Sequence, residues 1–168
     1  MATAQTPRAE PAASTDQARL RIMFVCSSGG HLLQLYRLKP WWEHHDRTWV
    51  TFEMPDSRSL LAGERVAFGH HPTTRNLPNM VRNYFLARRL VKRYRPDLIV
   101  SSGAGVAVPF FVVGRMHRVR TVYIEVYDRI DLPTVTGKLC YPLSSLFLLQ
   151  WEQQRRFYPR GQVIGRLL

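Results

Sequence analysis

Two cysteines, Cys26 and Cys140, are all that 168 residues contain, and each sits inside an apolar run. Neither a disulfide framework nor a thiolate metal cage can be built from them, and a reducing compartment fits best. Acidic residues are also scarce: 12 Asp+Glu face 24 Lys+Arg, a net charge of +12, which directs the chain toward negatively charged partners such as nucleic acid, anionic lipid headgroups or phosphorylated substrates. The longest uncharged stretch, Leu98 to Gly114, falls short of the ~20 residues of a membrane span and contains Gly103, Gly105 and Pro109. No G-x-G-x-x-G or G-x-x-x-x-G-K-[ST] motif occurs, since Thr136-Gly137-Lys138-Leu139 has neither the spacing nor the hydroxyl. Metal-ligand spacing is absent too, because His44-His45 and His70-His71 are adjacent pairs whose side chains diverge and which read as surface or loop residues. Residues 1–20 are Ala/Thr/Pro-rich with cancelling charges and lack the continuous apolar core of a signal peptide. They are expected to form a disordered tail before one domain over residues 21–168.

From Arg21 onward, short β-branched apolar runs alternate with helical stretches: RIMFV, RTWVTF, RVAFGH, DLIVSS, RTVYIEV, SSLFLLQ and QVIG. That alternation predicts an α/β, Rossmann-like fold with a mostly parallel sheet and crossover helices. Cys26-Ser27-Ser28-Gly29-Gly30-His31 follows the first strand and opens a helix. Glycines there let backbone N–H groups approach a ligand, and a helix N-terminus favours an anionic or sugar-phosphate group, although a tight turn with a capping histidine reads equally well. Ser101-Ser102-Gly103-Ala104-Gly105 repeats the arrangement after the DLIV strand, where a close-packing turn is the plainer reading. Both loops fall at the carboxyl edge of the sheet, where open α/β sheets bind ligands. Glu125, Asp128 and Arg129 follow another strand at the same edge. Glu125 can act there as a general base or bind a sugar hydroxyl, and an ion pair of Glu125 or Asp128 with Arg129 is the alternative.

Half of the net charge lies between Asn79 and Pro96, where Arg82, Arg88, Arg89, Lys92, Arg93 and Arg95 occur without an acid. A helical wheel predicts a core stripe of Leu77, Met80, Val81, Tyr84, Ala87 and Val91. Phe85 and Leu86 then stand on the opposite side among Arg82, Arg89 and Arg93, as in an interfacial membrane contact; a solvated helix face is the alternative. Trp41-Trp42 reads as a further interfacial anchor or a packed corner. A basic nucleic-acid-binding Rossmann module is a lesser alternative, because no zinc-finger spacing, basic heptad region or RRM signature is present, and no nucleic acid is expected.

The ordered series SSGGH, Trp41-Trp42, His71-Pro72-Thr73-Thr74-Arg75-Asn76, the segment Pro96 to Pro109, Glu125-Val126-Tyr127-Asp128-Arg129 and Pro133 to Lys138 resembles the PssD-like family of polysaccharide-biosynthesis glycosyltransferase subunits. These are similar to the acceptor-side subunit of the eukaryotic two-component N-acetylglucosaminyltransferase of dolichol-linked oligosaccharide synthesis. The resemblance runs from about Arg21 to the C-terminus. It implies one half of a split GT-B glycosyltransferase: this chain holds a polyprenyl-diphosphate-linked sugar acceptor, and a separate donor-binding subunit brings the UDP-sugar. It also implies a role in capsule or exopolysaccharide biosynthesis, and it requires neither cofactor nor metal. The eukaryotic acceptor subunit begins with a transmembrane helix, where this chain has a polar stretch. Attachment is therefore expected to be peripheral, to the anionic cytoplasmic face of the inner membrane, through Arg82, Phe85, Leu86, Arg89 and Arg93. The resemblance places Ser28, Gly29, Gly30 and His31 at the acceptor cleft, with Gly103, Ala104, Gly105 and Arg129 as further cleft residues. His31 is the favoured catalytic base and Glu125 the competing one, since a histidine works near neutral pH without a large shift. A non-catalytic membrane-recruiting scaffold is the alternative from another class.

Overall fold

The computed structural model describes residues 18–167. The tail expected over residues 1–20 falls outside the described residues as far as residue 17, and so does Leu168. Seven strands form one all-parallel sheet in the order β3-β2-β1-β4-β5-β6-β7: β1 (Arg21–Val25), β2 (Asp46–Thr51), β3 (Val66–Phe68), β4 (Leu98–Ser101), β5 (Arg120–Ile124), β6 (Leu146–Leu149) and β7 (Gln162–Val163). Each of the seven β-branched runs supplies one strand. The α/β Rossmann-like expectation therefore holds, and the strand order reverses between β1 and β4.

Side chains alternate along each strand, so one sequence serves two helical layers. Ile22 and Phe24 face α1 (Gly30–Tyr36), α2 (Lys39–Trp42) and α3 (Pro55–Leu60), packing with Leu32, Leu35, Trp42, Trp49 and Leu61. Phe24 stacks on Trp49 at 4.4 Å, and the Trp42 indole donates to the Leu35 carbonyl at 3.0 Å, so Trp42 is a packed corner. Met23 and Val25 face the opposite layer, α4 (Leu77–Tyr94), α5 (Ala107–Met116) and α6 (Val135–Cys140). Gly114 lets α5 lie close to the sheet, since a Cβ there would stand 2.9 Å from Ile99 Cδ1.

Helix α4 is rotated from the orientation that its hydrophobicity predicts. Leu77 is 73% and Val81 48% exposed, whereas Asn79, Asn83, Leu86, Ala87, Leu90 and Val91 are buried. The cause is two polar side chains with specific work to do. Asn83 Oδ1 accepts from the His70 N–H at 2.8 Å and its Nδ2 donates to the His70 carbonyl at 2.8 Å, while Asn79 Nδ2 donates to the Pro72 carbonyl at 3.0 Å. A hydrogen-bonded asparagine is tolerated inside the core, and these two fix both the helix face and the β3–α4 loop. Leu86, expected on the surface, is consequently a core residue. His45, expected at the surface, is also buried.

Candidate functional site

The strand order reverses between β1 and β4, and the carboxyl ends of these two strands are the place where doubly wound sheets bind ligands. The β1 turn carries Ser28 and Gly29, with Gly30 and His31 beginning α1; Gly29 adopts φ 75°, a conformation that glycine takes without strain. The Gly29 N–H is not open to a ligand, because it donates to Asp56 Oδ2 at 2.6 Å. The β4 turn carries Gly103 at φ 125° and Ala104 at φ 65°. Gly103 N–H donates to Ser101 Oγ at 3.1 Å. The amides of the part-exposed Ala104 and Gly105 take no acceptor among the described residues, whereas Val106, which follows them, is fully buried.

The two turns are locked together through one pair. His31 Nδ1 lies 2.8 Å from the Ser102 carbonyl oxygen, and Ser102 Oγ donates to the His31 carbonyl at 2.8 Å. A carbonyl only accepts, so Nδ1 carries the proton and the neutral ring keeps its lone pair on Nε2. Burial pushes the imidazole below its ordinary range, opposed by the Ser102 carbonyl and then by the Asp128 charge, so the ring is neutral at neutral pH. Gly103 is needed for this packing, because a Cβ there would stand 2.8 Å from His31 Cε1 and 3.1 Å from the Tyr123 hydroxyl. Thr73, from the loop pinned by Asn79, closes over the same turn: a Cβ at Gly105 would meet Thr73 Oγ1 at 3.0 Å.

Glu125 also ends a strand at this edge, yet its side chain turns inward and has no solvent exposure. Its Oε1 accepts from the Val126 N–H and from Thr134 Oγ1, both at 3.1 Å, and Thr134 in turn accepts from Gly137 N–H at 2.9 Å as the cap of α6. The Tyr158 hydroxyl faces the same carboxylate without a hydrogen bond of regular geometry. Burial raises the Glu125 carboxyl above its ordinary range, against the hydrogen bonds that favour the anion. The expectation of a Glu125 base facing substrate is thus corrected: the carboxyl group anchors α6 from below the cleft. Neither Glu125 nor Asp128 pairs with Arg129 among the described residues.

Asp128 and Arg129 lie exposed in the β5–α6 loop, which is held by side chains that the sequence motifs do not single out. Gln150 Nε2 donates to the Glu125 carbonyl at 2.8 Å, and Trp151 Nε1 to the Tyr127 carbonyl at 2.6 Å. Gln154 Nε2 donates to the carbonyls of Val126 and Arg129 at 3.0 and 3.1 Å, while its Oε1 accepts from Gln150 and Trp151 N–H at 2.9 and 3.2 Å. No spacing rule signals the contacts to the loop carbonyls, because they join residues 24 to 28 positions apart.

The positive charge sits mainly elsewhere. Arg82, Arg88, Arg89, Lys92 and Arg93 are exposed on α4, together with an apolar stripe of Leu77, Val81 and Phe85 at four-residue spacing. Among the described residues, no helix is long and apolar enough to cross a membrane, and no group of three His, Cys, Asp or Glu is placed to hold a metal ion. Surface hollows of about 450 and 400 Å³ lie at the opposite, amino edge of the sheet, beside Arg95, His117 and Arg118, away from His31.

Residues 69–167 match the family described as "Oligosaccharide biosynthesis protein Alg14 like". The human UDP-N-acetylglucosamine transferase subunit ALG14 is 24% identical over 188 residues, covering 92% of this chain and 86% of that protein. Its counterpart from Candida albicans is 23% identical over 172 residues, covering 88% and 78%. Among solved structures, MurG of Acinetobacter baumannii superposes with a TM-score of 0.70 at 13% identity, covering 87% of this chain and 45% of that one. UDP-N-acetylglucosamine 2-epimerase of Rickettsia bellii gives 0.70 at 11% identity, covering 89% and 45%. These likenesses establish the fold, and the chain spans less than half the length of each of the two structures.

Proposed function

We propose that this chain, which belongs to the Alg14-like family of oligosaccharide biosynthesis proteins, is the acceptor-binding, membrane-associated subunit of a split GT-B glycosyltransferase. In this reading a separate subunit holds a UDP-sugar, and the sugar passes to a polyprenyl-diphosphate-linked acceptor held at the carboxyl ends of β1 and β4. The relatives are UDP-N-acetylglucosamine transferase subunits by name, and N-acetylglucosamine is the sugar we assign. The PssD-like setting, capsule or exopolysaccharide synthesis at the cytoplasmic face of the inner membrane, is part of the same proposal.

One observation carries the reading: His31 is held by the Ser102 carbonyl with its lone pair on Nε2, at the switch point of a sheet that amounts to a single lobe. Nε2 takes the proton of the acceptor hydroxyl as it attacks the sugar, and the imidazolium so formed is stabilised by the Ser102 carbonyl and the Asp128 charge. The amides of Ala104 and Gly105, with the exposed Arg129 of the β5–α6 loop, receive the acceptor diphosphate. The donor subunit stabilises the departing UDP. Glu125, Gln150 and Gln154 fix the loop that carries Asp128 and Arg129.

Binding to the full chain alone tests the division of labour. A short-chain polyprenyl-diphosphate-linked sugar should bind while UDP-N-acetylglucosamine does not, whereas tight binding of the nucleotide sugar would remove the acceptor-half assignment. A purely recruiting scaffold would bind neither ligand and would still activate its partner after His31 is replaced.

A further inference from the structure

We propose that a hollow of about 360 Å³ on the flank of α4, lined by His70, Arg82, Phe85, Leu86 and Arg89, binds the phosphate of one anionic phospholipid headgroup. This inference rests on the reading of α4 as a membrane-facing helix, and it replaces a diffuse basic face with a built site.

Arg82 and Arg89 are seven residues apart, about 10 Å along the helix, so both lie on one side and their long side chains can converge on an anion between them. Both are exposed, and neither forms a salt bridge among the described residues. Arg82 Nη1 also donates to Asn79 Oδ1 at 3.2 Å, which steadies its side chain. Between them Leu86, 6% exposed, forms an apolar floor, and Phe85, 62% exposed, stands at the lip. His70 closes the far wall, and its backbone is fixed on both sides by Asn83. The backbone that carries this wall is therefore held in place before any ligand arrives.

The chemistry selects among anions. A free phosphate uses the two guanidinium groups but gains nothing from Phe85 or from the stripe continuing through Val81 and Leu77. A phosphodiester carrying acyl chains uses both, with its headgroup in the hollow and its glycerol and chains along the stripe. Arg88, Lys92 and Arg93 stand outside the hollow; Arg93 lies against the Tyr94 ring at 5.3 Å. These three contribute only long-range attraction to an anionic surface.

Titration of the full chain with monomeric dihexanoyl-phosphatidylglycerol, below its micelle concentration, separates a site from a field. Arg82→Gln and Arg89→Gln should each weaken binding about tenfold, the loss of one charge-assisted hydrogen-bonding partner. Arg88→Gln and Lys92→Gln should leave it unchanged, and dihexanoyl-phosphatidylcholine and inorganic phosphate should bind at least tenfold more weakly. Equal losses in all four variants, or phosphate binding as tightly as the lipid, would overturn the proposal. Sedimentation with anionic vesicles keeps the two readings apart. Failure of the unaltered chain to sediment contradicts the membrane-facing helix, whereas sedimentation reduced equally by all four substitutions contradicts the site alone.

Discussion

His31 and Ser102 hold each other by two contacts of 2.8 Å, ring nitrogen to carbonyl oxygen and hydroxyl to carbonyl oxygen, across 71 positions of sequence. That pair joins the turns after β1 and β4 into one wall and leaves Nε2 as the site's basic atom. In the complex with a donor subunit, His31→Asn should lower kcat about 10²- to 10⁴-fold, the usual contribution of a positioned proton-transfer group. Co-purification with the donor subunit should be unchanged, and unchanged turnover would remove His31 from the mechanism.

The pH dependence follows from the direction of the histidine shift. Burial favours the neutral ring, so kcat/KM should be flat above pH 7 and fall on the acid side with an apparent pKa below the ordinary 6.5. The unfolded chain binds this proton more readily than the folded one. Stability therefore declines as pH drops below 6.5, and His31→Asn should reduce that decline in a denaturation series.

Gly103→Ala tests the geometry without removing the histidine. The new methyl would stand 2.8 Å from His31 Cε1, on a residue at φ 125°. Overpacking and left-handed backbone together should destabilise the fold by about 2–4 kcal/mol and reduce transfer at least tenfold at temperatures where the variant is folded. A fully active variant would show that the ring's position is unimportant.

The Glu125 carboxyl is held above its ordinary pKa, so the folded state keeps its proton longer than the unfolded chain. Its contribution to stability is greatest at acid pH and is lost as pH rises from 4.5 through the raised value. Glu125→Gln should accordingly gain in stability relative to the unaltered chain between pH 5 and pH 8, measured by thermal melts. Gly137→Ala, whose methyl would overlap both Glu125 Oε2 and the Tyr158 hydroxyl, should cost about 3 kcal/mol or more.

Helix α4 offers a paired test of neighbouring residues. Leu86→Ala should destabilise by about 2–4 kcal/mol because it opens a cavity in the core. Phe85→Ala should change stability by no more than about 0.5 kcal/mol, as for an exposed position, and should weaken vesicle binding. The reverse pattern would mean that the helix faces the other way.

The seven strands were legible because β-branched runs separated by helical stretches have few other packings, and the glycine turns marked the carboxyl edge. Helix α4 departs from its hydrophobic pattern for a definite reason: hydrophobicity cannot anticipate that Asn79 and Asn83 are buried and hold the loop from His70 to Pro72. The position of Glu125 just after a strand is legible in the sequence, but its inward side chain depends on Thr134 and Gly137, residues with no catalytic signature. Gln150, Trp151 and Gln154 were invisible as site-building residues, since each acts on backbone carbonyls that any sequence possesses.

The central claim, one half of a split transferase, is tested most directly by sugar transfer. Membranes would carry this chain alone, a single-lobe donor-binding candidate alone, or both, supplied with UDP-N-acetylglucosamine and a polyprenyl-diphosphate-linked acceptor. The account predicts product only when both chains are present and its loss with His31→Asn in the pair. Product formed by this chain alone, or by the donor candidate alone at the rate of the pair, would contradict it.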